Sequence, residues 1–213
     1  MKTSKIGVFG GTFDPVHLGH LQLAQQAVGS LELDQLLFVP AAQPPHKHAD
    51  ITPVQHRLAM LQLVCDDNSR FKCSDIECQL PKPSYTVDTL LALKKQYTAE
   101  VEMFFIIGVD AFLDFMTWKS YRTILQLVKI AVSPRVGFLE NVLYKFLEDL
   151  GYKLDDTLWS ASGDYQSITI LPEFPAGVCS SAVRKIVAKG EVTTNLLPLD
   201  LAHYIRQNCL YNQ

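Results

Sequence analysis

Residues 5–20 restrict what this chain can become more than any other stretch. Residues 6–9, Ile-Gly-Val-Phe, are a short apolar run of the kind that forms a strand buried in a parallel sheet. Gly10 and Gly11 follow at once, and two residues without a Cβ permit a tight turn that bares backbone N–H groups. Beyond Asp14 and Pro15, Leu21, Ala24 and Val28 are spaced to share one face of a helix. Strand, glycine turn and helix start together make an anion site, because unpaired amides and the helix dipole both favour negative charge there.

His17 and His20 stand at i and i+3 where that helix begins, so both imidazoles share one face of its first turn. Two ring N–H donors on one face suit a reacting phosphoryl group lying over the glycine turn. Other readings of these residues stay open at this level. The turn lacks the G-x-G-x-x-G of dinucleotide binding, and no Gly-Lys-Ser/Thr follows to make a P-loop. His-x-x-His also occurs as a pair of zinc ligands, although no third ligand stands at useful spacing nearby.

Taken as one string, residues 10–20 closely resemble the signature of the nucleotidyltransferase superfamily, whose central element is a histidine, any residue, then Gly-His. Within it the string is most similar to the nicotinate-nucleotide adenylyltransferases, enzymes of NAD synthesis. Further blocks carry the same resemblance. Residues 44–47 read Pro-Pro-His-Lys, and residues 84–90 read Ser-Tyr-Thr-Val-Asp-Thr-Leu. Gly108 and Asp110 are followed by Trp118, and the tail has Leu-Pro before Tyr204 and Ile205, then Leu210 and Tyr211. Residues 178–184 approach the family's Ile-Ser-Ser-Thr-x-Ile-Arg, with Cys179 in place of its first serine, and Arg135 is the one arginine kept from an Arg-Arg-Pro-Gly block.

The rest of the chain agrees with such an enzyme. Its 213 residues suffice for one sizeable α/β domain, and 48% apolar with 19% charged residues is ordinary for a globular protein. A net charge of −3 gives no overall basic field, so neither nucleic acid nor a membrane surface is an expected partner. Five cysteines without a Cys-x-x-Cys pair read as free thiols of a reducing compartment. With no room for a signal peptide before the first strand, the expected location is cytoplasmic.

Further strands are expected at residues 34–40, 71–74, 101–108, 129–133 and 167–172, with residues 75–80 extended. Helices are expected from Pro53 with Thr52 as its cap, from Ser84 or Thr86, over residues 138–150, and from the serines Ser180 and Ser181. Arg57 reads as a surface cation, and residues 155–166 as a loop without period. Alternating strands and helices imply a doubly wound parallel sheet with helices on both faces, the Rossmann-like fold of the superfamily. The expected organisation is one domain, with a nucleotide-binding core over about residues 4–175 and a C-terminal helical part over 176–213.

The resemblance implies transfer of AMP from ATP to nicotinate mononucleotide, giving deamido-NAD and pyrophosphate, with Mg²⁺ held mainly by the ATP phosphates and no metal site on the protein. It places His17, His20 and Lys47 at the reacting phosphates, His46 being a weaker candidate beside them. Gly10, Gly11, Thr12, Phe13, Ser180, Ser181 and Arg184 then line the ATP site. Thr86 receives the nicotinate carboxylate, Trp118 packs on the pyridine ring, Asp110 lies near the ribose, and Arg135 is assigned to the mononucleotide. The partners are small-molecule substrates, and a homo-oligomer is compatible with all of this. Siblings acting on nicotinamide mononucleotide or pantetheine phosphate, and a nucleotide-sensing module without catalysis, are the alternatives.

Overall fold

A computed structural model describes residues 3–44, 51–97, 100–173, 178–191 and 193–212. Among the described residues the strands are β1 (Ser4–Gly11), β2 (Gln35–Pro40), β3 (Phe71–Cys73), β4 (Val101–Gly108), β5 (Lys129–Ser133), β6 (Tyr152–Asp155), β7 (Leu158–Ala161) and β8 (Ile168–Ile170). The helices are α1 (Leu18–Ser30), α2 (Val54–Asp66), α3 (Thr86–Gln96), α4 (Val109–Leu113), α5 (Tyr121–Leu127), α6 (Glu140–Asp149), α7 (Ser180–Ala188) and α8 (Leu199–Gln207). All eight strands join one sheet in the order β3-β2-β1-β4-β5-β8-β7-β6.

That order has a consequence for ligands. From β1 the chain runs outward through β2 and β3, then returns to the other side of β1 as β4. Connections leaving β1 and β4 therefore diverge, and open a crevice beyond the strands' C-terminal ends, where α/β sheets bind ligands.

The central strands are apolar on both faces because both are covered. Ile6, Val8, Leu37, Val39, Met103, Phe105 and Ile107 point to one side, packing with Leu90 and Leu93 of α3 and Ile124 of α5. Phe9, Leu36, Phe38, Phe104 and Ile106 point to the other, packing with Ala24 and Val28 of α1, Met60 and Leu61 of α2, Val183 of α7 and Leu201 of α8. Helices α7 and α8 thus complete the same core as α1 and α2. No helix among the described residues is long and apolar enough to cross a membrane.

Several local expectations are corrected. The sheet is mixed: β6 and β7 form an antiparallel hairpin, with β7 antiparallel to β8, and β7 lies within residues 155–166, expected to be a loop. Each hairpin strand has four residues with one side chain, Tyr152 or Trp159, fully in the core, too little for a period of two to show. Residues 76–79 form a 3-10 turn rather than extended chain, and α6 begins at Glu140 rather than residue 138. The cap positions are Pro53, Tyr85 and Cys179, not Thr52, Ser84, Thr86 or the paired serines. Arg57, far from being a surface cation, is 1% exposed.

Candidate active site

Gly10 and Gly11 do not themselves make the turn. Both finish β1 in parallel register with Val39 and Pro40, and the left-handed residue is Phe13, at φ 49°. A residue with a Cβ pays about 1–2 kcal/mol for that conformation. Burial of the Phe13 ring offsets it: the ring lies edge-on to Phe9 at 5.4 Å and to Phe38 at 5.7 Å. Glycine is needed at position 11 for another reason, since a Cβ there would sit 2.9 Å from the Phe13 ring.

The turn is held from outside by its carbonyl groups and one carboxylate. Arg57 of α2 donates from Nη1 to the Thr12 carbonyl at 2.8 Å and from Nε to the Thr52 carbonyl at 2.9 Å. Arg184 of α7 donates to the Asp14 carbonyl at 2.6 Å, and Ser180 Oγ donates to the Pro15 carbonyl at 3.0 Å. The buried Asp14 carboxylate accepts the Tyr211 hydroxyl at 2.7 Å and the Thr52 amide at 3.4 Å. Because C=O and the following N–H point opposite ways in a trans peptide, the Thr12 and Pro15 carbonyls drawn outward turn the amides of Phe13 and Val16 the other way, whereas the Asp14 carbonyl is followed by Pro15, which has no N–H.

His17 occupies the cap position of α1, and its amide donates to Nδ1 of His20 at 3.3 Å. The two rings stack, centroids 3.7 Å apart and planes 29° from parallel, and His20 lies against the Phe13 ring at 5.0 Å. Burial, with the neighbouring His17, holds the His20 pKa well below its usual value, and burial brings His17 down to about 4. Both are therefore neutral near pH 7. With Nδ1 of His20 accepting a hydrogen bond, its proton resides on Nε2. Among the described residues, His17 Nδ1 is buried without a protein partner. Gly19 lets the His17 ring pack, since a Cβ at that position would lie 3.1 Å from its Cε1 and Nδ1.

A cleft of about 450 Å³ opens in front of these rings. His17 and His20 line it with Gly108 from the end of β4, Ser133 and Arg135 from the end of β5, and Cys179 and Ser180 from the start of α7. The crevice predicted by the strand order and the residues picked from three distant blocks coincide. Cys179 Sγ lies 3.2 Å from Ser181 Oγ, a contact that with nearby backbone amides lowers the thiol pKa.

The residues assigned to a mononucleotide divide into two groups. Arg135 lines the histidine cleft, and Asp110, in the first turn of α4, is tied to it by pairing with Arg135 at 2.8 Å. Thr86 opens α3, and Trp118 sits half-buried with Phe105 and Phe115 beside it. Those two elements are linked by Lys119, which pairs with Asp88 at 2.9 Å and lies 4.4 Å from the Tyr85 ring centre. His46 and Lys47 lie outside the described residues.

Sequence reasoning missed Arg57, Asp14, Glu77 and Tyr211 as supports of this site. Glu77, 8% exposed, accepts the Ala42 amide at 3.1 Å and the Thr89 hydroxyl at 2.8 Å, joining the segment after β2 to α3. An acidic residue within an otherwise apolar-flanked 3-10 turn was the one available signal for it. Among the described residues no group of three or more His, Cys, Asp or Glu could hold a metal ion.

The model of the cytidylyltransferase-like family matches residues 8–186. The probable nicotinate-nucleotide adenylyltransferase of Desulfotalea psychrophila is 45% identical over 210 residues, spanning 97% of this chain and 99% of that protein. The protein of the same name from Symbiobacterium thermophilum is 37% identical over 210 residues, spanning 98% and 95%. Among solved structures, Plasmodium falciparum nicotinic acid mononucleotide adenylyltransferase complexed with NaAD superposes with a TM-score of 0.72 over 98% of each chain. At 18% identity that likeness is one of fold.

Proposed function

The chain belongs to the cytidylyltransferase-like family, and within it to the nicotinate-nucleotide adenylyltransferases, and from that premise we propose its reaction and the residues that perform it. It is a nucleotidyltransferase that moves AMP from ATP to nicotinate mononucleotide, releasing pyrophosphate and forming deamido-NAD. The observation that carries the reading is the neutral, stacked pair His17 and His20 at the start of α1, facing the crevice between β1 and β4.

In the reaction an oxygen of the mononucleotide's 5′-phosphate attacks the α-phosphorus of ATP, and the bond from that phosphorus to the pyrophosphate oxygen breaks in line. The acceptor already carries an anionic nucleophile, so the protein's task is to position two anions and to stabilise the charge that passes between them. His20 Nε2–H donates to the reacting phosphoryl group, with its direction fixed by the bond at Nδ1. His17 supplies the second ring donor. Two imidazoles at 3.7 Å repel as a pair of cations, and in the neutral form each still keeps one N–H to donate. The turn of Gly10, Gly11, Thr12 and Phe13 adds backbone amides.

Ser180, Ser181 and Arg184 hold the β and γ phosphates. Since Ser180 Oγ faces Pro15, its contribution is the backbone amide at the start of α7. Lys47 adds charge. Asp110 and Arg135 pair on the surface, where such a bridge is worth about 0–1 kcal/mol, so a phosphate entering the cleft can recruit the arginine. Thr86 and Trp118 receive the nicotinate ring and its carboxylate. Enzymes of this class acting on ATP use a divalent metal ion. Mg²⁺ is the ion proposed, carried in on the triphosphate as part of the substrate, and the whole chain is taken as one catalytic domain in the cytoplasm.

Incubation of the protein with ATP, Mg²⁺ and nicotinate mononucleotide tests the reading. Deamido-NAD and pyrophosphate are expected in equal amounts. Release of inorganic phosphate or ADP instead would contradict it.

A further inference from the structure

The C-terminal tail reaches back to the first turn of the chain. Tyr211 donates its hydroxyl to Asp14 Oδ1 at 2.7 Å across a sequence separation of 197 residues. Leu196 accepts the Leu18 amide at 2.9 Å, so the same tail also touches the residue that opens α1. Burial pushes the Tyr211 hydroxyl pKa up, which keeps it a donor.

Asp14 is only 4% exposed, and it directly follows Phe13, the last residue of the turn that faces the nucleotide in the proposed reaction. Phe13 before it is left-handed, and Pro15 after it leads into the cap His17. Oδ2 is held by the Thr52 amide, and Thr52's own carbonyl is held by Arg57, which also grips Thr12. Thr12, Asp14, Thr52, Arg57 and Tyr211 therefore form one hydrogen-bonded frame behind the turn. Of its side chains, Tyr211 alone comes from the tail.

We propose that Tyr211 is a positioning residue of the adenylyl-transfer site, fixing Asp14 so that the amides of the turn and the ring of His20 keep their aim. None of these five residues lines the cleft, and the Thr12 carbonyl points to Arg57 while the amide of Phe13 points away from it. Tyr211 touches no substrate in this reading and acts from behind the turn, through its side-chain hydrogen bonds to Asp14 and Thr52. The inference rests on the adenylyl-transfer reading of the cleft.

Tyr211→Phe removes one hydroxyl and keeps the ring. The control is Tyr204→Phe, which removes the hydroxyl lying 2.9 Å from His56 Nδ1 on the same C-terminal segment, away from the turn. Turnover is measured at a temperature where every variant is fully folded by circular dichroism. In parallel, amide exchange of the peptide covering residues 10–17 is followed by mass spectrometry. Tyr211→Phe is expected to lower kcat about ten- to a hundredfold with KM for ATP little changed. It should also speed exchange in the turn peptide, while Tyr204→Phe does neither. Wild-type kcat in Tyr211→Phe, or an equal loss in Tyr204→Phe, overturns the proposal. Should the wild type prove inactive with every acceptor, the function reading fails and exchange decides the positioning claim: faster exchange in Tyr211→Phe supports it, and unchanged exchange overturns it.

Discussion

The backbone amide of His17 donates to Nδ1 of His20 at 3.3 Å, and this one bond decides which nitrogen of His20 carries its proton. A side chain whose tautomer and ring plane are set by its own helix turn is prepared before the nucleotide arrives. Replacing it removes a donor aimed at the charge developing in the transition state. His20→Ala should lower kcat by roughly 10²–10³ while leaving the circular dichroism spectrum unchanged. Turnover at the wild-type level would remove His20 from the mechanism.

Gly19 separates activity from stability. A Cβ at that position meets the His17 ring at 3.1 Å, so Gly19→Ala must displace the ring by a few tenths of an ångström. Alanine in a helix is intrinsically favoured over glycine by about 1 kcal/mol. The variant should be at least as stable to urea as the wild type, yet roughly tenfold slower. A variant equally stable and equally fast would show that the ring's place is not critical.

Burial of His17 makes stability depend on pH in a defined window. The unfolded chain takes up the proton near 6.5, whereas the folded protein resists it down to about 4. Between those values the unfolded state binds more protons, so stability falls as pH drops from about 6.5 towards 4. Urea midpoints at about pH 7, 5.5 and 4.5, compared with those of His17→Gln, isolate this contribution. The glutamine variant should show a flatter profile; identical slopes would contradict it.

Arg57 is buried with its donors on the Thr12 and Thr52 carbonyls. Arg57→Met removes the guanidinium donor from both carbonyls, at a cost of about 1–3 kcal/mol each. A urea titration should register that loss, and Arg57→Lys should recover part of it. A loss within a few tenths of a kcal/mol would mean that water replaces the guanidinium.

The sequence and the structure agree most where one stretch of chain contains its own explanation. Residues 6–9 alternate between two covered faces, and the i, i+3 spacing of the histidines places both rings on one face, where the structure stacks them. Agreement fails where a residue's role is set by partners far along the chain. Arg57 follows a proline-led helix start and looks solvated, yet its partners are the carbonyls of Thr12 and Thr52. Tyr211 reads as the end of a tail, and its partner is residue 14. The left-handed residue of the turn is Phe13 rather than a glycine, because an aromatic cluster supplies what the backbone alone would not. The β6–β7 hairpin escapes for a different reason: strands of four residues carry too few alternations to be seen.

The mononucleotide pocket is tested separately from the phosphates. Trp118→Ala should raise KM for nicotinate mononucleotide roughly tenfold, the worth of one well-stacked aromatic contact, with KM for ATP unchanged. A rise in KM for ATP alone would move the tryptophan to the other substrate.

The measurement that bears most directly on the central claim is pyrophosphate release from ATP and Mg²⁺ with three acceptors in parallel: nicotinate mononucleotide, nicotinamide mononucleotide and pantetheine phosphate. The account predicts the highest kcat/KM with the nicotinate form. A preference for either other acceptor would keep the histidine chemistry and refute the Thr86 and Trp118 pocket. Silence with all three, from folded protein that still binds ATP, would contradict the catalytic reading itself.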